Sequence, residues 1–97
     1  MLMVARASAV AARADGLRQL RALVVSVPEG LRERLRGLTK VALLERAARL
    51  RAQPGHDAAT RATVLALATL ARRVRQVTAE ARTLEREIAR QVAEVAA

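Results

Sequence analysis

Arginine is the residue type in this chain with the clearest chemical use. Eighteen basic residues, all but one of them arginine, stand against nine acidic ones, so the 97-residue chain carries a net charge of +9. A guanidinium group donates paired hydrogen bonds to phosphate, and an excess of cations attracts polyanions. The candidate phosphate-binding arginines fall in the central third of the chain and just after it: Arg32, Arg34, Arg36, Arg61, Arg72, Arg73 and Arg75.

The composition also predicts how such binding would work. The chain has no Phe, Trp or Tyr, so it offers no platform on which bases of a single strand could stack. It also has no Asn, which leaves paired hydrogen bonds to adenine to Gln alone. We therefore expect DNA and structured RNA to be bound through their phosphates, with strong salt dependence. The alternative is that the arginines only keep helix surfaces in water.

Other side-chain chemistry is sparse. Without Cys and with His56 as its one histidine, the chain lacks the usual donors of zinc and other soft metal sites. Asp15 and Asp57 are far apart in sequence, and neither Ser8 nor Ser26 has a histidine at a suggestive spacing. No pair of acids is placed to share a proton. We predict that the chain alone has no catalytic residue, metal or cofactor.

Nearly all of the chain is predicted to be helical, because Ala, Leu, Arg and Glu favour helices. The breaking residues are Pro28, Gly37 and Pro54–Gly55, together with Gly30. They divide one all-α domain, residues 1–97, into a first arm (2–27), a short-helix tip (28–56) and a long coiled-coil helix (57–97). Gly16 is expected to weaken the first arm by about 1 kcal/mol relative to alanine.

The tip is predicted to contain two short helices, Glu29–Arg36 and Lys40–Arg51. Thr39 and Asp57 each precede a helical pattern and are suited to accept hydrogen bonds from the first free backbone amides of the third and fourth helices.

Apolar residues recur every three or four positions in both arms, which is typical of helices that pack along each other. The predicted packing seam comprises Leu17, Leu20, Val24, Leu67, Leu70, Val74, Val77, Leu84 and Ile88. A parallel homodimer of the last helix would place Glu80 opposite Glu85, which disfavours it. We therefore predict an antiparallel long-helix hairpin, a coiled-coil stalk with two short helices at its tip. In that hairpin Arg6 and Arg13 are expected near Glu87 and Glu94. Assembly with another copy through the seam is the alternative.

No apolar run approaches the length of about 18 residues that a membrane span requires. The first residues lack the separate charged and apolar blocks of a secretory signal, so a cytoplasmic location is expected. Binding flat on a membrane surface is disfavoured, because the Trp and Phe that usually anchor such helices are missing.

Two long stretches resemble a known family. They are RQLRALVVSVPEGLRERLRGLTKVALLERAARLR (Arg18–Arg51) and TRATVLALATLARRVRQVTAEARTLEREIARQV (Thr60–Val92). In the order of their short motifs they are similar to the middle region of DEDD-class insertion-sequence transposases, which are relatives of the pilin-gene invertases and include RNA-guided recombinases.

The resemblance implies a function that composition does not. In that family, a preceding RuvC-like domain carries four metal-binding acids and a following domain carries a catalytic serine. The helical region between them serves subunit assembly and contacts guide RNA and DNA. No catalytic residue of this chain matches, so Mg²⁺-dependent DNA recombination would belong to the parent protein. The chain would then be a truncated transposase, a remnant or an expressed middle domain. A free-standing helical scaffold or adaptor for another protein's helix is the alternative function.

Overall fold

Four helices account for most of the molecule. In the computed structural model, which describes residues 1–96, they are α1 (Leu2–Val25), α2 (Glu29–Leu35), α3 (Lys40–Ala48) and α4 (Ala58–Ala96). The described residues contain no β-strand, so the predicted all-α class is confirmed. A 39-residue helix is about 58 Å long, and α4 accordingly sets the longest dimension of the molecule, 61 Å.

Both predicted N-terminal caps are present. The Thr39 Oγ1 accepts a hydrogen bond from the Ala42 amide at 3.3 Å. The Asp57 Oδ1 accepts one from the Thr60 amide at 2.7 Å. Hydrogen bonds from the Thr60 side chain and backbone hold the pKa of the Asp57 carboxyl below its ordinary value. These caps satisfy backbone donors that have no partner inside the helix.

Two helices end two or three residues earlier than predicted, whereas α2 ends only one residue early, at Leu35. The first ends at Val25 instead of residue 27, and the third ends at Ala48 instead of Arg51. Pro28 disfavours a helical conformation for Val27, and Val27 is instead buried in the turn. Beyond α3, Leu50 is also buried. Because α1 and α3 end early, the chain turns and buries Val27 and Leu50 in the core.

The main core lies where all four helices meet. Its fully buried large side chains include Leu20 of α1 and Leu67 of α4, with Leu35 of α2 and Leu43 of α3 nearly so. Half-buried apolar residues surround them: Leu23, Val24, Leu31, Leu38, Leu44 and Leu70. Most of the leucines of the chain therefore pack where the two short helices meet the two long ones.

Beyond this core, α1 and α4 pack along each other through small residues. A Cβ atom added to Gly16 would lie 2.6 Å from Cγ2 of Val74. Seven residues further along each helix, in opposite sequence directions, Ala9 and Ala81 are both buried. Gly16 therefore has a packing role in addition to its low helix propensity, because its missing side chain allows α1 to approach α4.

The ion pairs predicted between the two arms are wrong, because the register of α1 along α4 differs from the predicted one. Arg6 pairs with Glu85 at 3.2 Å, not with Glu87 or Glu94. Those two acids instead face Arg90, one turn away on their own helix, at 3.8 and 3.5 Å. Local pairs of this kind form wherever a helix places opposite charges three or four residues apart.

Arg13 has no acidic partner among the described residues and lines a groove with Lys40, Arg75 and Arg82.

The predicted seam is buried in a graded way. Leu17, Leu20, Leu67 and Val74 are buried. Val24, Leu70, Val77, Leu84 and Ile88 are half-buried. Beyond Ile88 the helix is exposed on all sides, with Val95 89% exposed. The packing between α1 and α4 therefore weakens away from the four-helix core.

Candidate polyanion-binding surface

The predicted phosphate-binding arginines fall into two groups, and the first is used inside the molecule. Arg32 donates from Nη2 to the Val27 carbonyl at 3.2 Å and pairs with Glu29 at 3.3 Å. Its Nε is buried, with no hydrogen-bond partner among the described residues. Arg36 pairs with Glu33 at 3.2 Å and with Glu29 at 3.5 Å. Both side chains help to hold α2 together and have part of their charge neutralised locally.

Arg61 connects α4 to the segment between α3 and α4, and Arg72 connects α4 to the end of α3. Arg61 donates from Nη1 to the His56 carbonyl at 2.9 Å. Arg72 donates from Nε to the Ala48 carbonyl at 3.1 Å, which caps an otherwise free acceptor at the end of α3. These hydrogen bonds fix the tip on the long helix, so removing either arginine should affect folding as well as any ligand.

The arginines of the second group make no such contacts with the described residues. Within residues 1–96, the side chains of Arg34, Arg73 and Arg75 make no hydrogen bond or ion pair, and all three are exposed. Arg34 lies on α2, whereas Arg73 and Arg75 lie on α4. A phosphate could therefore be bound by these guanidinium groups without breaking an existing contact.

Arg34 belongs to a basic groove between α2 and the end of α3, which we call the tip groove. The groove has a volume of about 460 Å³ and is lined by Arg34, Arg46, Arg49 and Arg51, with Glu45 as its one acid. Arg46 donates from Nη1 to the Arg34 carbonyl at 3.4 Å, which ties the two walls together. Four guanidinium groups facing one carboxylate produce a positive field that favours an anionic ligand.

Three of these arginines, Arg46, Arg49 and Arg51, were not predicted as binding residues. Arg46 and Arg49 are three positions apart, which places them on one face of a helix. That spacing was a usable signal, but it does not reveal that α2 folds back to place Arg34 opposite them.

His56 is more constrained than its place in a Pro-Gly turn suggested. It is half-buried, its Nδ1 accepts a hydrogen bond from the Gln53 amide at 3.1 Å, and its carbonyl accepts from Arg61. The ring therefore stabilises the turn that leads into α4. Among residues 1–96 there is no cluster of three or more His, Cys, Asp or Glu side chains that could hold a metal ion.

The helices of the described chain also include none with the length and apolarity needed to cross a membrane. No protein-family model, curated protein or solved structure matches the chain.

Proposed function

We propose that this chain acts as the assembly and nucleic-acid-contacting middle module of a DEDD-class transposase or recombinase. In this proposal α1 and α4 form an antiparallel coiled-coil stalk, and α2 and α3 form its tip. The observation that carries the proposal is the tip groove, where Arg34, Arg46, Arg49 and Arg51 line one cavity with a single acid. The resemblance of residues 18–51 and 60–92 to the middle region of such transposases supports the same interpretation.

The distribution of charge agrees with a polyanion at the tip. Residues 28–56, which form the tip, contain 7 basic and 3 acidic residues, a net charge of +4, while residues 80–97 contain 3 basic and 4 acidic ones, a net charge of −1. Clustered guanidinium groups bind phosphate oxygens without needing base contacts. The module would therefore bind DNA and structured RNA by backbone geometry, and the parent protein would supply sequence recognition and the Mg²⁺-dependent chemistry.

The assembly part of the proposal is supported at the opposite end of the stalk. A groove there is lined mainly by apolar residues, among them Met3, Ile88 and Val92, and Met3 and Val92 are more than 60% exposed. Exposed apolar patches commonly mark protein interfaces. A second copy of the chain would cover this groove, whereas a mass of 10.5 kDa in light scattering at every concentration would remove the assembly part.

Binding to duplex DNA and duplex RNA should be strongly salt-dependent. Three or four phosphate contacts in the tip groove alone would make log K fall with log salt with a slope of about −3 to −4, since each contact contributes about −0.9 on B-form DNA, and contacts outside this groove would steepen the slope. Fluorescence anisotropy at several salt concentrations measures this slope. Competition by an unrelated duplex of equal length is expected to be complete, because the contacts carry no sequence information.

The alternative, a scaffold that binds another protein's helix, makes the opposite prediction. No binding to either duplex at low salt, or a slope near zero, would exclude the nucleic-acid role and favour the scaffold.

A further inference from the structure

A second basic groove lies on the other side of α3. It has a volume of about 400 Å³ and its cations come from three helices: Arg13 from α1, Lys40 from α3, and Arg75 and Arg82 from α4. None of these four side chains makes a hydrogen bond or ion pair within residues 1–96. We call this cavity the stalk groove. Within the described chain, the stalk groove contains only one carboxylate to offset the repulsion among these four cations.

That carboxylate is Glu45, which also lines the tip groove. Glu45 is exposed and forms no ion pair with any described residue. The two grooves therefore meet at the side of α3 that carries Glu45. Between them the two grooves contain eight cations and a single acid among the described residues, whereas most arginines outside the grooves pair with a carboxylate or a carbonyl.

The gap that forms the stalk groove is a feature of the packing. No Cα atom of α1 lies within 8 Å of one in α3, since both helices pack against α4 instead. Leu17 of α1 and Leu44 of α3 contribute apolar surface to the groove lining, and the four cations line the groove together with Glu45. Direct packing of α1 on α3 would have closed this space, whereas the observed arrangement leaves a depression lined by positive charge.

We propose that the tip groove and the stalk groove form one continuous track for a phosphodiester backbone, which crosses α3 beside Glu45. A helix with its side chains is about 10–12 Å across, and the successive phosphates of one strand advance about 3.4 Å along the axis of a duplex. Three or four nucleotides therefore bridge the two grooves. This inference rests on the proposed nucleic-acid function and assigns Arg13, Lys40 and Arg82 as additional phosphate-binding residues.

The test compares variants of equal net charge. Arg13→Gln/Arg82→Gln removes two cations from the stalk groove, and Arg21→Gln/Arg86→Gln removes two exposed arginines that line neither groove. We expect the first variant to bind duplex DNA and duplex RNA about tenfold more weakly and to reduce the salt slope by about 2. The control should retain the slope of the original chain. Circular dichroism checks that both variants remain folded.

Glu45 provides a test in the opposite direction. Glu45→Gln removes the one carboxylate beside the track, so binding should become about threefold tighter at low salt. Glu94→Gln changes the net charge equally, but lies near the far end of α4 and should change binding much less.

The outcomes separate this inference from the function on which it rests. Equal binding and equal slopes for the two double variants, or equal effects of Glu45→Gln and Glu94→Gln, would overturn the track while leaving the tip groove as the binding site. Absence of binding by the original chain would overturn the nucleic-acid function itself. If only one type of duplex binds with the predicted charge effects, the track stands and the source of the phosphates is identified.

Discussion

Replacing Leu67 with alanine should lower the free energy of unfolding by about 2–5 kcal/mol, the usual range for removing a fully buried leucine side chain. Leu67 has no exposed surface and lies in the core where the four helices meet. The substitution removes contacts and leaves a cavity that helices fixed on several sides cannot readily close. Urea denaturation followed by circular dichroism measures the change.

Leu65→Ala is the matched control. Leu65 lies two residues before Leu67, on a different face of the same helix, and 65% of it is exposed. The two substitutions change helix propensity equally, so their difference isolates burial. Equal losses of stability for Leu65→Ala and Leu67→Ala would contradict the placement of the core.

Replacing Gly16 with alanine should destabilise the chain, although alanine normally stabilises a helix by about 1 kcal/mol relative to glycine. The added Cβ would lie 2.6 Å from Cγ2 of Val74, a buried side chain whose β-branch leaves it little freedom to rotate. Overpacking of this kind costs about 1–3 kcal/mol. A net loss of about 1 kcal/mol in the free energy of unfolding is therefore expected.

A double-mutant cycle identifies the cause. Val74→Ala removes the atom that the new methyl group would meet, so Gly16→Ala should destabilise a Val74→Ala background less, or stabilise it. Gly30→Ala is the control, since nothing lies within 4 Å of a Cβ added there. That variant should gain about 0.4–1 kcal/mol. If Gly16→Ala were as stabilising as Gly30→Ala, the close approach of α1 to α4 would be disproved.

The sequence predicts α4 well because its pattern and its environment agree. Large apolar residues recur along one face, and the most deeply buried of them, Leu67 and Val74, lie on that face. Breaking residues also locate the tip, and the capping roles of Thr39 and Asp57 follow from local chemistry. Such features depend on neighbours within one turn and are therefore accessible without a structure.

The inner face of the first half of α1 could not be predicted from hydrophobicity, although Leu17 and Leu20 in its second half were. The large apolar residue Met3 is 61% exposed, whereas the small residues Ala9 and Gly16 are buried. Small residues carry little hydrophobic signal, yet they allow the closest approach between helices. Such small residues also help to set the register of the two helices, in which Arg6 lies opposite Glu85 and not near Glu87 or Glu94 as expected.

The candidate binding surface was predicted only in part, since it depends on which helices meet. Arg34 and Arg75 were identified from charge alone and lie in the two basic grooves. Arg32 and Arg72 were predicted to bind phosphate on the same grounds, but they donate hydrogen bonds to the carbonyls of Val27 and Ala48. Whether an arginine meets a carbonyl or open space is decided by tertiary packing, which composition does not encode.

The proposed stalk and both grooves require α1 to pack along α4 of the same chain, with Arg6 opposite Glu85. Because the chain has no cysteine, the variant Arg6→Cys/Glu85→Cys can be treated with a short bismaleimide that joins only the two introduced thiols. In dilute solution we expect rapid cross-linking within single chains. Arg6→Cys/Glu94→Cys should react far more slowly, because position 94 lies nine residues, or about 13.5 Å, further along α4 than position 85. Cross-linked dimers in place of cross-linked monomers, or equal reaction of the two variants, would contradict the packing on which the proposed function depends.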